Sequence, residues 1–220
     1  MEAEMNHRTR GALTASLLCA CALGCSSGAT RFVHPEADMP YYEKIAVMPF
    51  ETLAADRLAG EKVTNVFFSE VLRLGFDQVV EPGQLTTAMM RVRGGTPPAN
   101  PWSTEELAKL AEATGVQGFF MGTVRDYDMV PVGRDVYPLL SLEARFVDAE
   151  TGRVVWSSSN TRRGGPPPPL MGWMATRTMG ELTTEMCRDL LGTLPKATKS
   201  GASEPAEKRE KGKKDAIPKS

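Results

Sequence analysis

The sequence predicts an α/β (α+β) domain, a mixed sheet with helices packed on one face, in the order β-α-β-α-β-β-β-α. Three observations carry this. Residues 44–50 (KIAVMPF) form a short, continuous apolar run, the pattern of a buried strand. Residues 59–74 place Val63, Val66, Phe67, Val71 and Leu74 at helical spacing, which makes one apolar stripe. Residues 139–148 alternate, with Leu140, Leu142, Ala144 and Phe146 on one side and Ser141, Glu143 and Arg145 on the other, the pattern of a half-buried antiparallel strand.

The other elements follow in order. Gly75 is placed to end the first helix with positive φ, and residues 76–81 (FDQVVE) read as a second strand broken by Pro82-Gly83. Residues 84–90 suit a short helix, and residues 94–101 a loop rich in glycine and proline. Ser103 and Glu106 have the spacing of a capping box, in which the serine accepts a helix amide and the glutamate reaches back to the cap. Leu107, Leu110 and Ala111 give that helix its apolar face, and Gly115 ends it. Residues 117–130 read as one long strand. Residues 148–152 (DAETG) are a tight turn from the alternating strand into residues 153–158 (RVVWSS), which completes a hairpin. Residues 162–169 (RRGGPPPP) read as stiff linker. Residues 174–194 close the domain as a helix with Met179, Leu182, Met186 and Leu190 on one face, stopped by Pro195.

The organisation of the 220-residue chain follows. Residues 1–24 read as a signal peptide: His7, Arg8 and Arg10 are basic, and residues 11–24 are an uncharged apolar run too short to span a bilayer. Glu2 and Glu4 are unusual there, and a start at Met5 would remove them. The run ends in Ala22-Leu23-Gly24-Cys25-Ser26-Ser27-Gly28, which resembles the lipobox cut by bacterial signal peptidase II. Cys25 is the expected lipidated residue and Cys21 its rival. The lipobox favours leucine where this chain has Ala22. Each buried methylene contributes ~0.8 kcal/mol, so palmitate-class acyl chains on one cysteine hold a protein at a membrane without a span. Ser26 in place of aspartate resembles the sorting signal for the outer membrane, with the domain facing the periplasm. Residues 25–43 read as a tether, 44–194 as the domain, and 195–220 as a Lys/Glu-rich tail that lacks the apolar surface to fold.

Composition narrows the function. Net charge is −1, so no nucleic-acid partner is indicated. Of the two histidines only His34 follows the leader, and a catalytic triad or histidine-based metal site lacks raw material. No G-x-S-x-G or phosphate-loop spacing occurs. The expectation is a non-enzyme with no cofactor and no metal. Asp126, Asp128 and Asp135 read as solvated strand and loop residues, since a Ca²⁺ loop needs more oxygens at tighter spacing. Cys187 falls in a helical pattern and reads as a small buried hydrophobe. Met171, Trp173 and Met174 follow the prolines as a contact patch for a partner protein, alongside the plainer reading of helix-start packing.

Four pieces now stand in a familiar order: residues 44–50; residues 70–75 (EVLRLG) leading to 76–81; residues 110–124 (LAEATGVQGFFMGTV); and residues 142–156 (LEARFVDAETGRVVW). Together they resemble the periplasmic fold shared by the curli-secretion lipoprotein CsgG, the peptidoglycan-synthase activator LpoB and the amino-terminal domain of TolB. The resemblance implies a membrane-anchored adaptor or activator for an envelope partner. The alternative is a CsgG-like homo-oligomer in an outer-membrane secretion assembly. CsgG carries insertions that form transmembrane hairpins. At the matching places this chain has only residues 130–138 and 162–173, whereas a spanning hairpin needs two strands of about 9–11 residues each. The resemblance therefore does not extend to a pore.

Overall fold

Phe119 and Phe120 are adjacent on one strand, so their side chains point to opposite faces of the sheet, and both are fully buried. That requires cover on both sides. The computed structural model, which describes residues 29–95, 101–165 and 176–195, supplies it. In chain order the elements are β1 (Thr30–Val33), a 3-10 turn (Met39–Tyr41), β2 (Lys44–Val47), β3 (Glu51–Thr52), α1 (Ala59–Leu72), β4 (Gln78–Val79), α2 (Pro82–Val92), α3 (Thr104–Thr114), β5 (Gly118–Val132), β6 (Asp135–Asp148), β7 (Val154–Arg163) and α4 (Met179–Leu191).

The mixed sheet runs β1-β7-β6-β5-β2-β4, with β3 alongside β5. Strands β2, β3, β4 and β5 are parallel, whereas β5, β6, β7 and β1 form an antiparallel array. On one face Val63, Phe67 and Val71 of α1 and Leu182, Met186, Cys187 and Leu190 of α4 pack on Ile45, Val47, Phe120, Leu142, Phe146 and Trp156. On the other, Leu85, Ala88 and Met89 of α2 and Leu107 and Leu110 of α3 pack on Ala46, Met48, Phe119, Met121 and Val147.

The expectation of helices on one face is thereby corrected, and strand order gives the reason. The connection β2-α1-β4 steps outward, and β4-α2-α3-β5 steps back across β2 to its other side. Parallel crossovers are right-handed in nearly all cases. Two right-handed crossovers running in opposite directions place their helices on opposite faces.

The tether also needs correction. Residues 30–43 belong to the domain: β1 pairs with β7, Met39 and Tyr42 are buried, and the His34 amide donates to the Val155 carbonyl at 2.8 Å. A four-residue edge strand with three exposed positions carries almost no periodic signal. At the other end of the sheet, Arg162 and Arg163 extend β7 rather than opening a linker. The second predicted strand shrinks to two residues, and the last helix begins at Met179.

Several local expectations hold. Gly75 and Gly115 adopt φ of 79° and 70°. Ser103 and Glu106 form both bonds of the capping box, and Thr178 with Glu181 forms a second one at the start of α4. The turn at residues 148–152 joins β6 to β7 as an antiparallel pair.

The core centres on Phe120, whose ring lies 4.7 Å from Phe146, 5.5 Å from Phe67 and 6.1 Å from Trp156. Gly118 and Gly122 flank it on the same face. A Cβ at Gly118 would sit 2.2 Å from the Phe146 ring, and one at Gly122 would sit 2.4 Å from the Phe50 ring and 2.6 Å from the Glu143 carbonyl oxygen. Gly122→Ala is therefore expected to lower stability by about 1–3 kcal/mol through overpacking. Ser158 Oγ is buried on this face without a hydrogen-bond partner, so Ser158→Ala is expected to be neutral or stabilising. Urea melts of the two variants against the parent check both.

Tyr42 ties the amino-terminal segment to the far turn. Its hydroxyl donates to Asp148 Oδ2 at 3.1 Å, and the backbone and hydroxyl of Thr151 donate to Oδ1. Burial alone would raise the Asp148 pKa, yet the bonds from Thr151 and Tyr42 hold it below its ordinary value. Burial pushes the Tyr42 phenol up, and the Asp148 charge pushes it further, so it stays a donor. A carboxylate with a depressed folded pKa stabilises above its unfolded value, near 3.9, and that stabilisation is lost as pH falls through the folded value. Asp148→Asn is expected to cost about 1–2 kcal/mol at pH 7. The gap to the parent should narrow as unfolding is measured at pH values below about 4.

Candidate functional site

Strand order β4-β2-β5 creates a switch point, the place where open α/β sheets usually take ligands beyond the carboxyl ends of the strands. Here the chain fills that crevice itself. Strand β3 adds to β5 at Thr123 and Val124. Thr52 Oγ1 accepts from the Gly60 amide at 2.8 Å, and Thr64 Oγ1 accepts from the Phe50 amide at 2.9 Å. A Cβ on Gly60 would lie 2.3 Å from the Phe50 carbonyl oxygen, so backbone closes on backbone. These two threonines give the amides of β3 and α1 intramolecular partners at the spot where a ligand would need them.

The open surface lies elsewhere. Helices α2 and α3 cover β2, β4, the start of β5 and the β6–β7 end at Val147 and Val154, and among the described residues no helix packs on the same face of β6, β7 and β1 from Arg145 to Ser141. Antiparallel arrays tolerate this because alternation puts polar residues outward. In register across that face stand Phe32, Ser157 and Arg145; then Thr30, Ser159, Glu143 and Thr123; then Thr161, Ser141 and Asp126. Ser141 and Thr161 share a hydrogen bond at 2.8 Å. Arg125 occupies a β-bulge between Val124 and Asp126 and pairs with Glu143. A bulge re-aims its residue, and here it brings the guanidinium over the groove of about 280 Å³ lined by Thr30, Ser141, Glu143, Ser159 and Thr161. Both charge signs and a row of hydroxyls line it. This is a surface for hydrogen-bonded contact, with Phe32 at its edge 45% exposed.

The sequence-predicted residues are placed as follows. Cys25, Met171, Trp173 and Met174 lie outside the described residues. Asp126 and Asp128 share the open face and are exposed, with Asp128 opposite Leu139. Asp135 lies at the β5–β6 turn. Among the described residues no cluster of histidine, cysteine, aspartate and glutamate is arranged to hold a metal. Cys187 is buried between α4 and α1; burial pushes its thiol up to about 12, and Glu70 nearby adds to this, so it packs as a hydrophobe. His34 stands just past β1, its Nδ1 accepting from the Glu36 amide at 3.2 Å. The open face was not singled out in the sequence, although its trace is there: residues 157–161 (SSSNT) give β7 small polar side chains on both sides.

No protein-family model matches the chain, and no curated protein matches it in sequence. Among solved structures it is similar to PelC of Paraburkholderia phytofirmans, a dodecamer. A single-substitution variant of PelC gives a TM-score of 0.53 at 18% identity, covering 76% of this chain and 98% of that one. The other PelC structure gives 0.51 at 16%, covering 76% and 95%. Lipoprotein GNA1162 of Neisseria meningitidis scores 0.48 at 19%, covering 66% and 96%, and the LpoB C-terminal domain of Salmonella enterica 0.43 at 16%, covering 69% and 93%. The chain shares the fold of PelC.

Proposed function

We propose that this chain is an envelope lipoprotein, held at the outer membrane by acyl chains on Cys25. Its domain faces the periplasm and serves as a non-enzymatic adaptor or activator for an envelope protein, such as a peptidoglycan synthase. The observation that carries the anchor is the short distance between two features. The lipobox-like Ala22-Leu23-Gly24-Cys25 ends an apolar run, and folded sheet begins at Thr30, only a few residues later. The anchor is thus joined almost directly to β1, beside the open polar face. The adaptor role draws on that face, because a switch point filled by its own chain leaves the antiparallel half as the surface that a partner reaches.

A second reading has its own observation: PelC, which shares this fold, is a dodecamer. On that reading several copies assemble in the envelope. Mass measurement of the detergent-solubilised protein separates the two, since the adaptor reading expects one or two copies and the assembly reading a ring.

The anchor is tested by intact-mass analysis of the mature amino terminus. A chain starting at Cys25 with the added mass of acyl groups is expected, and Cys25→Ala should move the protein from the membrane to the soluble fraction. For the adaptor, a photo-crosslinker at Ser159 on the open face is expected to trap one envelope protein that the same group at Glu61, on the exposed side of α1, does not. Equal trapping at both positions would count against the face.

A further inference from the structure

The β5–β6 hairpin outruns the sheet. The last β6–β7 ladder pair is Leu139 with Arg163, and beyond it the Gly164 amide donates to the Pro138 carbonyl at 2.7 Å; among the described residues, 129–138 otherwise pair only with each other and form a two-stranded arm. A two-residue loop with Gly133 first, at φ 66°, closes it, the residue order of a tight hairpin turn. The arm is apolar, with Tyr137 and Pro138 at its base buried and the residues nearer its tip exposed. On one side Met129 stands opposite Pro138 and Pro131 opposite Val136, with Met129 43% and Val136 53% exposed. On the other, the partly exposed Val130 and Val132 face Tyr137 and Asp135. Arg134 and Asp135 are the charges of its tip. A two-stranded tip that leaves Met129, Pro131 and Val136 in water is marginal.

Its direction relates it to the anchor. Strand β7 runs toward the arm, from Val154 opposite Val147 to Arg163 opposite Leu139. Strand β1 is antiparallel to β7, so the chain preceding Thr30 leaves the sheet at the arm's end. Thr30 is level with Ser159 and, through it, with Glu143. From Glu143 the arm extends to Asp135, about 27 Å at ~3.4 Å per residue. Cys25 lies five residues before Thr30, a reach of at most ~17 Å. A fully stretched tether is shorter than the ~27 Å from the level of Thr30 to the tip. With Cys25 fixed at the headgroups and the sheet upright, the tip cannot stay in water.

The geometry points to the arm as a second membrane contact: residues 129–138 dip into the lipid interface beside the acylated cysteine and fix the tilt of the domain. The inference rests on the anchor proposed above. The occupant is the bilayer surface, because the tether's length and exit direction bring the arm to it. The depth is interfacial, since neither strand of the arm has the roughly 9–11 residues that a span requires. Exposed Val and Met side chains would enter the acyl boundary, and the Arg134 side chain at the tip would fold back along the arm to keep its guanidinium near the lipid phosphates.

The test uses the full lipidated chain in vesicles of phosphatidylethanolamine and phosphatidylglycerol. An environment-sensitive fluorophore is placed by Val132→Cys at the tip and, separately, by Glu150→Cys at the opposite end of the sheet. The tip label is expected to shift to the blue on vesicles and to be quenched several-fold more strongly by brominated lipid than the Glu150 label. Met129→Asp with Val136→Asp should abolish that difference while leaving helical circular dichroism unchanged. If the protein floats with the vesicles and the two labels are quenched equally, the arm proposal falls while the anchor stands. If the tip label is shielded without vesicles in a concentration-dependent way, a second copy covers the arm and the proposal is overturned. If intact mass shows no lipid on Cys25, both fall together.

Discussion

Two adjacent phenylalanines in β5 set the terms for the rest of the fold. Phe119 and Phe120 cannot share a face of a strand, and each is worth ~1.5–3 kcal/mol when fully buried, so a one-sided layer would leave one of them in water. The chain resolves this with two crossovers that run in opposite directions and so deliver helices to opposite faces. The sequence around the pair is built for the same end. Gly118 and Gly122 lie two residues to either side of Phe120, on its own face, and their missing side chains admit the rings of Phe146 and Phe50. The Phe120 ring thereby contacts aromatics from β6, β7 and α1 at once. The sheet is thick with rings there, and α4 is drawn over it through Leu182, Met186 and Leu190.

What was legible in the sequence follows from where the signal is local. The Ser103–Glu106 capping box, the glycine helix ends and the hairpin turn at residues 148–152 are fixed by side chains within a few positions of one another, and they read correctly; the Thr178–Glu181 box was missed because the last helix was expected to start at residue 174. Periodicity found α1, α3, α4 and the alternating face of β6. Strand order is not local, and the cover on both faces depends on it. The GFFMG run at residues 118–122 did hold the clue, because two bulky apolar neighbours inside a strand already imply two buried faces. Strand β1 was unreadable for another reason. Three of its four residues are exposed, with no alternation of polar and apolar side chains, and it exists because β7 offers a free edge; its partner, rather than its composition, makes it a strand. The sequence likewise stopped β5 at Val130 and started β6 at Leu139, since the arm between them has no alternation with a polar face to reveal it.

The sheet is divided by chemistry as well as by direction. Its parallel half is covered on both sides, and its switch point is closed by β3 and by the hydroxyls of Thr52 and Thr64. Among the described residues, helices cover only one side of most of its antiparallel half, and the other side carries Arg125, Arg145, Glu143 and Asp126 among hydroxyls. A face of mixed sign has little long-range pull on any partner. It selects through the pattern of pairs it offers at contact, which governs specificity and register more than affinity. The near-zero net charge of the chain agrees with that.

Strand β1 gains meaning from this division. It is the link between the chain's amino-terminal stretch and the folded domain, and it docks on the antiparallel half rather than on the helices. A pull on residues before Thr30 acts along the strand, so its ladder to β7 is loaded in shear and the register pairs from Thr30–Ser159 to Val33–Trp156 share the load. Behind them the His34 amide bonds to Val155, and Met39 and Tyr42 are sunk in the core with the Tyr42 hydroxyl on Asp148. A floppy tether ending at residue 43 would let the open face take any orientation. An edge strand locked at its far end by a buried tyrosine instead fixes the point on the sheet, beside that face, from which the preceding chain departs.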